Sequence, residues 1–202
     1  MNKKIKEIEG DIFECPLIYK DFWSSKVLHD LNEKIEKHFA GFLPAVPQYA
    51  TWPNPIVLDS GPILIIQIPD DEKKIITDIK SELSTIYDIS NLKCHCGIHI
   101  FLSGSYIPWH NDENHKFVTT TYLNQEPWDW NWGGALLYEN KNKEIMAEFP
   151  EYNKMIVQSG GFNVDNNMRH TTTITSSLAA PRVTLQIFFE PHELNNNDTI
   201  NL

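Results

Sequence analysis

The sequence predicts an α+β domain, mainly β, with its helices confined to the N-terminal half. Three observations carry that expectation. Two amphipathic helical stretches lie before residue 90, short turn-punctuated β-rich runs follow from residue 94, and no segment repeats.

The first helix is expected over 21–40, where Val27, Leu31, Ile35 and Phe39 recur every fourth position with Leu28 beside them. From Pro44 to Pro55 the chain is too rich in proline for regular helix. Ile63 to Ile68, apolar except for Gln67, has the length of a buried strand. A second amphipathic helix is expected over 71–88, carried by Ile75, Ile79, Leu83 and Ile86. Asp70, Asp71 and Glu72 stand where a helix start favours acids.

Beyond residue 94, β-rich runs are expected at 96–103, 116–123, 134–139, 154–159, 168–175 and 182–190. Gly104, Pro108, Gly133, Gly134, Pro150, Gly160 and Gly161 punctuate them, the pattern of a sandwich or barrel. Gly133 and Gly134 suit a tight turn or bulge. The organisation expected is one domain: 1–93 a helical support with flanking strands packed on the core, 94–190 the β core, and 191–202 a polar tail that frays at Asn195 to Asp198.

Composition narrows the partners. Of 202 residues, 41% are hydrophobic and 11% aromatic, enough for a folded core. The net charge is −10 and no basic stripe appears, so no nucleic-acid partner is expected. The start MNKKIKEIEG lacks an apolar signal core, and Ile63 to Ile68 is far too short to span a bilayer. A soluble, cytoplasmic protein without a membrane partner is expected. Cys15, Cys94 and Cys96 are an odd set for a disulfide framework. Cys94-His95-Cys96 lacks a second ligand pair at zinc-finger spacing and reads as strand, hence as core cysteines.

Three places carry chemistry. In Arg182 to Phe189, one strand face holds Val183, Leu185, Ile187 and Phe189, and the other Arg182, Thr184, Gln186 and Phe188. The apolar face should meet the helices, and the mixed face should point into the barrel, where an arginine needs a partner. No acid shares that face between 182 and 189, so a ligand carboxylate is the natural occupant, with an ion pair to some other acid as the alternative. The second place is Trp109-His110-Asn111-Asp112, an imidazole and a carboxylate able to turn to one point. The third is Arg169-His170-Thr171-Thr172-Thr173, at an expected strand start. Two histidines and one carboxylate form a facial metal site with open positions, whereas a structural zinc would be closed by four ligands. His115, the nearest candidate for a fourth ligand, reads more simply as a solvent-facing loop residue. Each motif alone is also compatible with a surface loop or a hydrogen-bonded core histidine.

The ordered set 103–112 (Ser-Gly-Ser-Tyr-Ile-Pro-Trp-His-Asn-Asp), Thr119 to Asn124, Trp132 to Leu136, His170 and Pro181 to Phe189 resembles the 2-oxoglutarate- and iron(II)-dependent dioxygenases, in their prolyl 4-hydroxylase-like branch. The resemblance covers about Phe101 to Phe189, while the N-terminal half is similar only as a helical support. It implies a double-stranded β-helix (jelly-roll, cupin-like) core, and His110, Asp112 and His170 as iron(II) ligands. It implies that Arg182 binds the distal carboxylate of 2-oxoglutarate, with Tyr122 and Thr184 as further contacts. Molecular oxygen would be the co-reactant and ascorbate a candidate reductant. Two departures stand out. Ile100 and Phe101 occupy the region where relatives carry a tyrosine, so that contact is lost or supplied elsewhere, with His99 either a substitute or a structural histidine, and the interval from His170 to Arg182 is slightly long.

The reaction so implied is hydroxylation of an unactivated C–H bond, on a prolyl or other residue of a peptide or protein. A free amino acid or other small molecule is the enzymatic alternative. From other classes, a non-catalytic β-barrel binding module and a zinc or manganese cupin are the rivals. Trp128, Trp130 and Trp132 make the 128–132 loop unusually aromatic, which suits either a substrate lid or hydrophobic anchoring.

Overall fold

The computed structural model describes residues 16–51, 58–69, 72–112, 115–140, 142–160 and 169–191. The expectations for the N-terminal decapeptide, Cys15, Pro53, Pro55, Asp70, Asp71, Gly161 and the C-terminal tail lie outside these residues.

The strands are β1 (Leu17–Tyr19), β2 (Val46–Pro47), β3 (Ile63–Ile68), β4 (Leu92–Phe101), β5 (Ile107–His110), β6 (Phe117–Tyr122), β7 (Leu136–Glu139), β8 (Ile145–Glu148), β9 (Met155–Ser159), β10 (His170–Thr172) and β11 (Arg182–Pro191). Helices α1 (Ser25–Phe39), α2 (Gln48–Thr51) and α3 (Lys73–Leu83) lie in the N-terminal half. The strands form two antiparallel sheets: a major one ordered β1-β9-β6-β11-β4-β3-β2 and a minor one ordered β5-β10-β7-β8. Residue 93 falls within β4, so the support and the core share the major sheet.

Helix α1 begins later than the pattern suggested because Ser24 caps it, its hydroxyl accepting the Val27 N–H. Val27, Leu28 and Leu31 are buried, whereas Phe39, expected on the apolar stripe, is 55% exposed. Helix α3 stops at Leu83 rather than 88. The Ser84 and Thr85 hydroxyls donate to the carbonyls of Lys80 and Glu82, both at 2.7 Å, and such local bonds compete with helix continuation. Ile86 still reaches the core from the turn that follows. Lys26–Asp78, Lys34–Glu72 and Lys74–Asp30 ion pairs link the α1 and α3 regions.

The Pro44–Pro55 stretch is not wholly irregular. It holds β2 and the single turn of α2, which follows Pro47. Four strands had no clear period: β1, β2, β5 and β8, each two to four residues long. The expected 168–175 strand shortens to β10, after which Gly133 and Thr175 form an isolated bridge.

The parity of β11 divides the interior. Val183, Leu185, Ile187 and Phe189 join Val27, Leu31, Ile79 and Leu83 in the larger core, between the major sheet and the helices. Arg182 and Thr184 are buried on the opposite face. On that side Tyr122 and Ile156 meet Leu136 of the minor sheet. The major sheet thus has one face sealed by helices and one closed by the minor sheet, and the second interior contains the polar residues. No helix among the described residues is long and apolar enough to cross a membrane.

Candidate metal centre and carboxylate pocket

His110 ends β5 and His170 begins β10, and the two are register partners. His110 lies between the β-rich runs expected at 96–103 and 116–123, yet it closes a strand of its own. Pro108 in that strand sits at the sheet edge, where a missing N–H is tolerated. Asp112, just past the strand, turns one carboxylate oxygen toward each ring. The His110 Nε2–Asp112 Oδ1 distance is 3.8 Å and the His170 Nε2–Asp112 Oδ2 distance is 3.5 Å. These are long for hydrogen bonds. One ligand atom from each residue lies within 4.8 Å of the other two, and this is the one such cluster among the described residues.

The His110 ring is oriented from behind. Its Nδ1–H donates to the Pro108 carbonyl at 2.8 Å, which leaves the Nε2 lone pair for a metal. Two imidazoles and one carboxylate on one side of a point suit a divalent iron-type centre with open positions better than a closed zinc site. His115 is not solvent-facing. Its ring packs 4.9 Å from Phe188, its Nε2 lies 3.4 Å from Glu190, and its backbone N–H donates to the Asp112 carbonyl at 2.9 Å. It therefore holds the Asp112 loop and stands apart from the cluster.

Arg182, on the facing sheet, is only 1% exposed. Its guanidinium lies 4.3 Å from the Phe101 ring centroid and 5.1 Å from that of Tyr122. Its Nε and Nη1 have no hydrogen-bond partner among the described residues, and neither has the Tyr122 hydroxyl. Burial drives the Arg182 pKa down and the Tyr122 pKa up, and each group partly offsets the other's shift. Leaving such groups unmet costs about 1–3 kcal/mol apiece. Thr184, fully buried, pairs in register with Tyr122. The nearby Lys154 ammonium is matched by Glu148 at 3.1 Å, so it does not compete for an incoming anion.

Gly134 explains the double glycine. It has φ +66°, and a Cβ there would lie 2.9 Å from Arg182 Cδ and 3.4 Å from Trp128 Cζ2. Trp128 is anchored: its indole N–H donates to the Gly133 carbonyl at 2.9 Å and it packs edge-on against Trp132. Trp128 thus walls the arginine pocket, while Trp130, 76% exposed, stacks on Phe149.

No protein-family model and no curated protein matches the sequence. Solved structures do. A prolyl-4-hydroxylase from Pseudomonas putida is similar at 15% identity and a TM-score of 0.61, over 88% of this chain and 92% of that one. A prolyl hydroxylase from Trichoplax adhaerens, in complex with a hypoxia inducible factor peptide fragment, is similar at 15% identity and a TM-score of 0.66, over 89% and 84%. An oxidoreductase of the 2OG-Fe(II) oxygenase family from Burkholderia pseudomallei gives 14% identity and a TM-score of 0.59, over 88% and 85%. The chain has the fold of the 2-oxoglutarate- and iron(II)-dependent oxygenases. That oxygenase fold takes in the N-terminal helices, which in sequence matched only in general character.

One residue of the oxygenase-fold interior, Tyr138, the register partner of His170, escaped the sequence reading. His99, noted in the sequence beside the missing tyrosine, is the register partner of Thr184.

Proposed function

We propose that this protein is an Fe(II)- and 2-oxoglutarate-dependent dioxygenase that hydroxylates an unactivated C–H bond, on a prolyl or other residue of a peptide or protein. One observation carries the reading: a two-histidine, one-carboxylate cluster on the minor sheet faces the same interior as a buried arginine whose Nε and Nη1 are unpaired among the described residues.

The donor set fits the implied groups. His110, Asp112 and His170 would hold the metal and leave one side open. Arg182 is a single buried cation without an acidic partner among the described residues, and one carboxylate would neutralise it. Its planar fork suits bidentate binding. Tyr122 and Thr184 would hold the same carboxylate. When bound, iron(II) and 2-oxoglutarate supply the activation of dioxygen, with succinate and carbon dioxide leaving as the C–H bond is hydroxylated. The protein orients the keto acid between its two sheets and keeps bulk water from its distal end. The likeness to a hydroxylase in complex with a peptide supports a peptide substrate.

The test is succinate release by the iron-loaded protein under oxygen, with prolyl peptides, other peptides and free amino acids as substrates. Turnover with a peptide, dependent on iron and oxygen, is expected. Turnover with free amino acids alone would move the substrate assignment. No keto-acid turnover with any substrate, together with no iron binding, would overturn the proposal.

A further inference from the structure

The inner face of the major sheet holds a row of side chains that the proposed site uses only in part. Register places His99 of β4, Thr184 of β11 and Tyr122 of β6 side by side, and the adjacent row toward the end of β4 holds Phe101 and Arg182. All five are buried. His99 is close enough to Arg182 for the guanidinium charge to add to burial in keeping its imidazole uncharged. Its ring leans along the strand, so that a Cβ on Gly97 would lie 3.5 Å from His99 Nε2. Burying an imidazole is costly where an apolar ring would do, and Phe101, the next inward position, shows that this face accepts one.

The hydrogen bonds around Thr184 are directed. Thr120 donates its hydroxyl to Gln186 Oε1 at 3.1 Å, and Gln186 Nε2 donates to Thr184 Oγ1 at 3.5 Å. The Gln186–Thr184 contact is long, and a hydroxyl that accepts there can still donate its O–H into the pocket. Arg182 Nε and Nη1 and the Tyr122 hydroxyl are donors without partners among the described residues. A carboxylate presents about four lone-pair sites. A second full charge beside Arg182 would be repelled, whereas an uncharged N–H adds a bond without that penalty.

We infer that His99 is a further binding residue for the distal carboxylate of the keto acid, an imidazole N–H donor in the cradle made by Arg182, Tyr122 and Thr184. This rests on the dioxygenase reading above. The alternative role for His99 is purely structural, as a polar member of the core.

The experiment measures the affinity of the full-length, Mn(II)-loaded protein for 2-oxoglutarate by titration calorimetry without oxygen, for the natural sequence and for His99→Phe, His99→Asn, His99→Gln and Arg182→Met. Loss of one hydrogen bond to a charged acceptor should weaken His99→Phe about tenfold. One of the two amide variants should recover to within about threefold, and Mn(II) affinity should not change in any His99 variant. In protein labelled with 15N-histidine, 2-oxoglutarate should shift one buried imidazole N–H signal that the variants lack. If Arg182→Met loses binding while His99→Phe keeps it, His99 is structural and the inference fails alone. If Arg182→Met binds 2-oxoglutarate as tightly as the natural sequence, the carboxylate pocket falls and the dioxygenase reading with it. Should His99→Phe not fold, an unshifted His99 signal in the natural protein overturns the inference.

Discussion

His110 and His170 stand opposite one another across the β5–β10 pair, ring centroids 4.2 Å apart, each with its Nε2 turned toward Asp112. Strand register alone brings them together. The candidate metal site is therefore set by sheet pairing.

It follows that His110→Ala and Asp112→Ala should each abolish Mn(II) or Fe(II) binding and turnover while leaving the fold intact. The unfolding midpoint of the metal-free variants should stay within about 4 °C of the natural protein, the scale of a 1 kcal/mol change in a chain of this size. Calorimetric metal titration and thermal unfolding check both halves. A metal-free variant that loses its fold would show that the cluster is structural.

Arg182→Met should separate function from stability. The guanidinium is buried with two unpaired nitrogens, and its contacts with Phe101 and Tyr122 offset only part of that cost. The ligand-free variant should be at least as stable as the natural protein, by about 1 kcal/mol in urea unfolding, and should bind no 2-oxoglutarate. A loss of several kcal/mol would mean that Arg182 has a structural partner.

Gly134→Ala should damage the same pocket from the opposite sheet. Its φ of +66° penalises any side chain, and the new Cβ would press on Arg182 Cδ at 2.9 Å. The expected cost is about 1–3 kcal/mol of stability, with weakened 2-oxoglutarate binding. Gly104 is the control. It has φ +80° and nothing within 4 Å of its Cβ position, so Gly104→Ala should show the backbone strain without the binding defect.

What could be read from the sequence follows local period. Ile63–Ile68 was legible to the residue because a strand flanked by neighbours in the sheet is nearly all apolar, here interrupted by exposed Gln67. The two faces of β11 followed from strict alternation. Strands β5 and β8 were not legible. Ile107-Pro-Trp-His shows no period, and Ile145 and Met146 of β8 lie exposed at a sheet edge. The convergence of His110 with His170 depends on non-local pairing, which periodicity does not encode, and it was expected only through the resemblance carried by the ordered motifs; the closeness of Gly134 to Arg182 was not expected at all. His99 was legible only as a polar residue beside the missing tyrosine, and its neighbour across the strand, Thr184, became known only with the register.

The stability of the protein should carry the mark of His99 as pH falls. Burial first, and the Arg182 charge second, lower its pKa from 6.5 to about 3 in the folded chain. The unfolded chain takes up a proton near pH 6.5 and the folded chain does not until about pH 3. Below pH 6.5 the unfolded state thus binds more protons, and acid favours unfolding. The contribution is complete above pH 6.5 and is lost progressively down to about pH 3. Between pH 7.5 and 4.5 it amounts to about 2–3 kcal/mol. Carboxylates also titrate in that range, so the measurement is a difference: urea unfolding at both pH values for the natural protein and for His99→Gln. The variant should lose about 2–3 kcal/mol less than the natural protein over this interval. Equal losses would mean that the imidazole titrates in the folded state much as it does in water, and that the interior around Arg182 is wet.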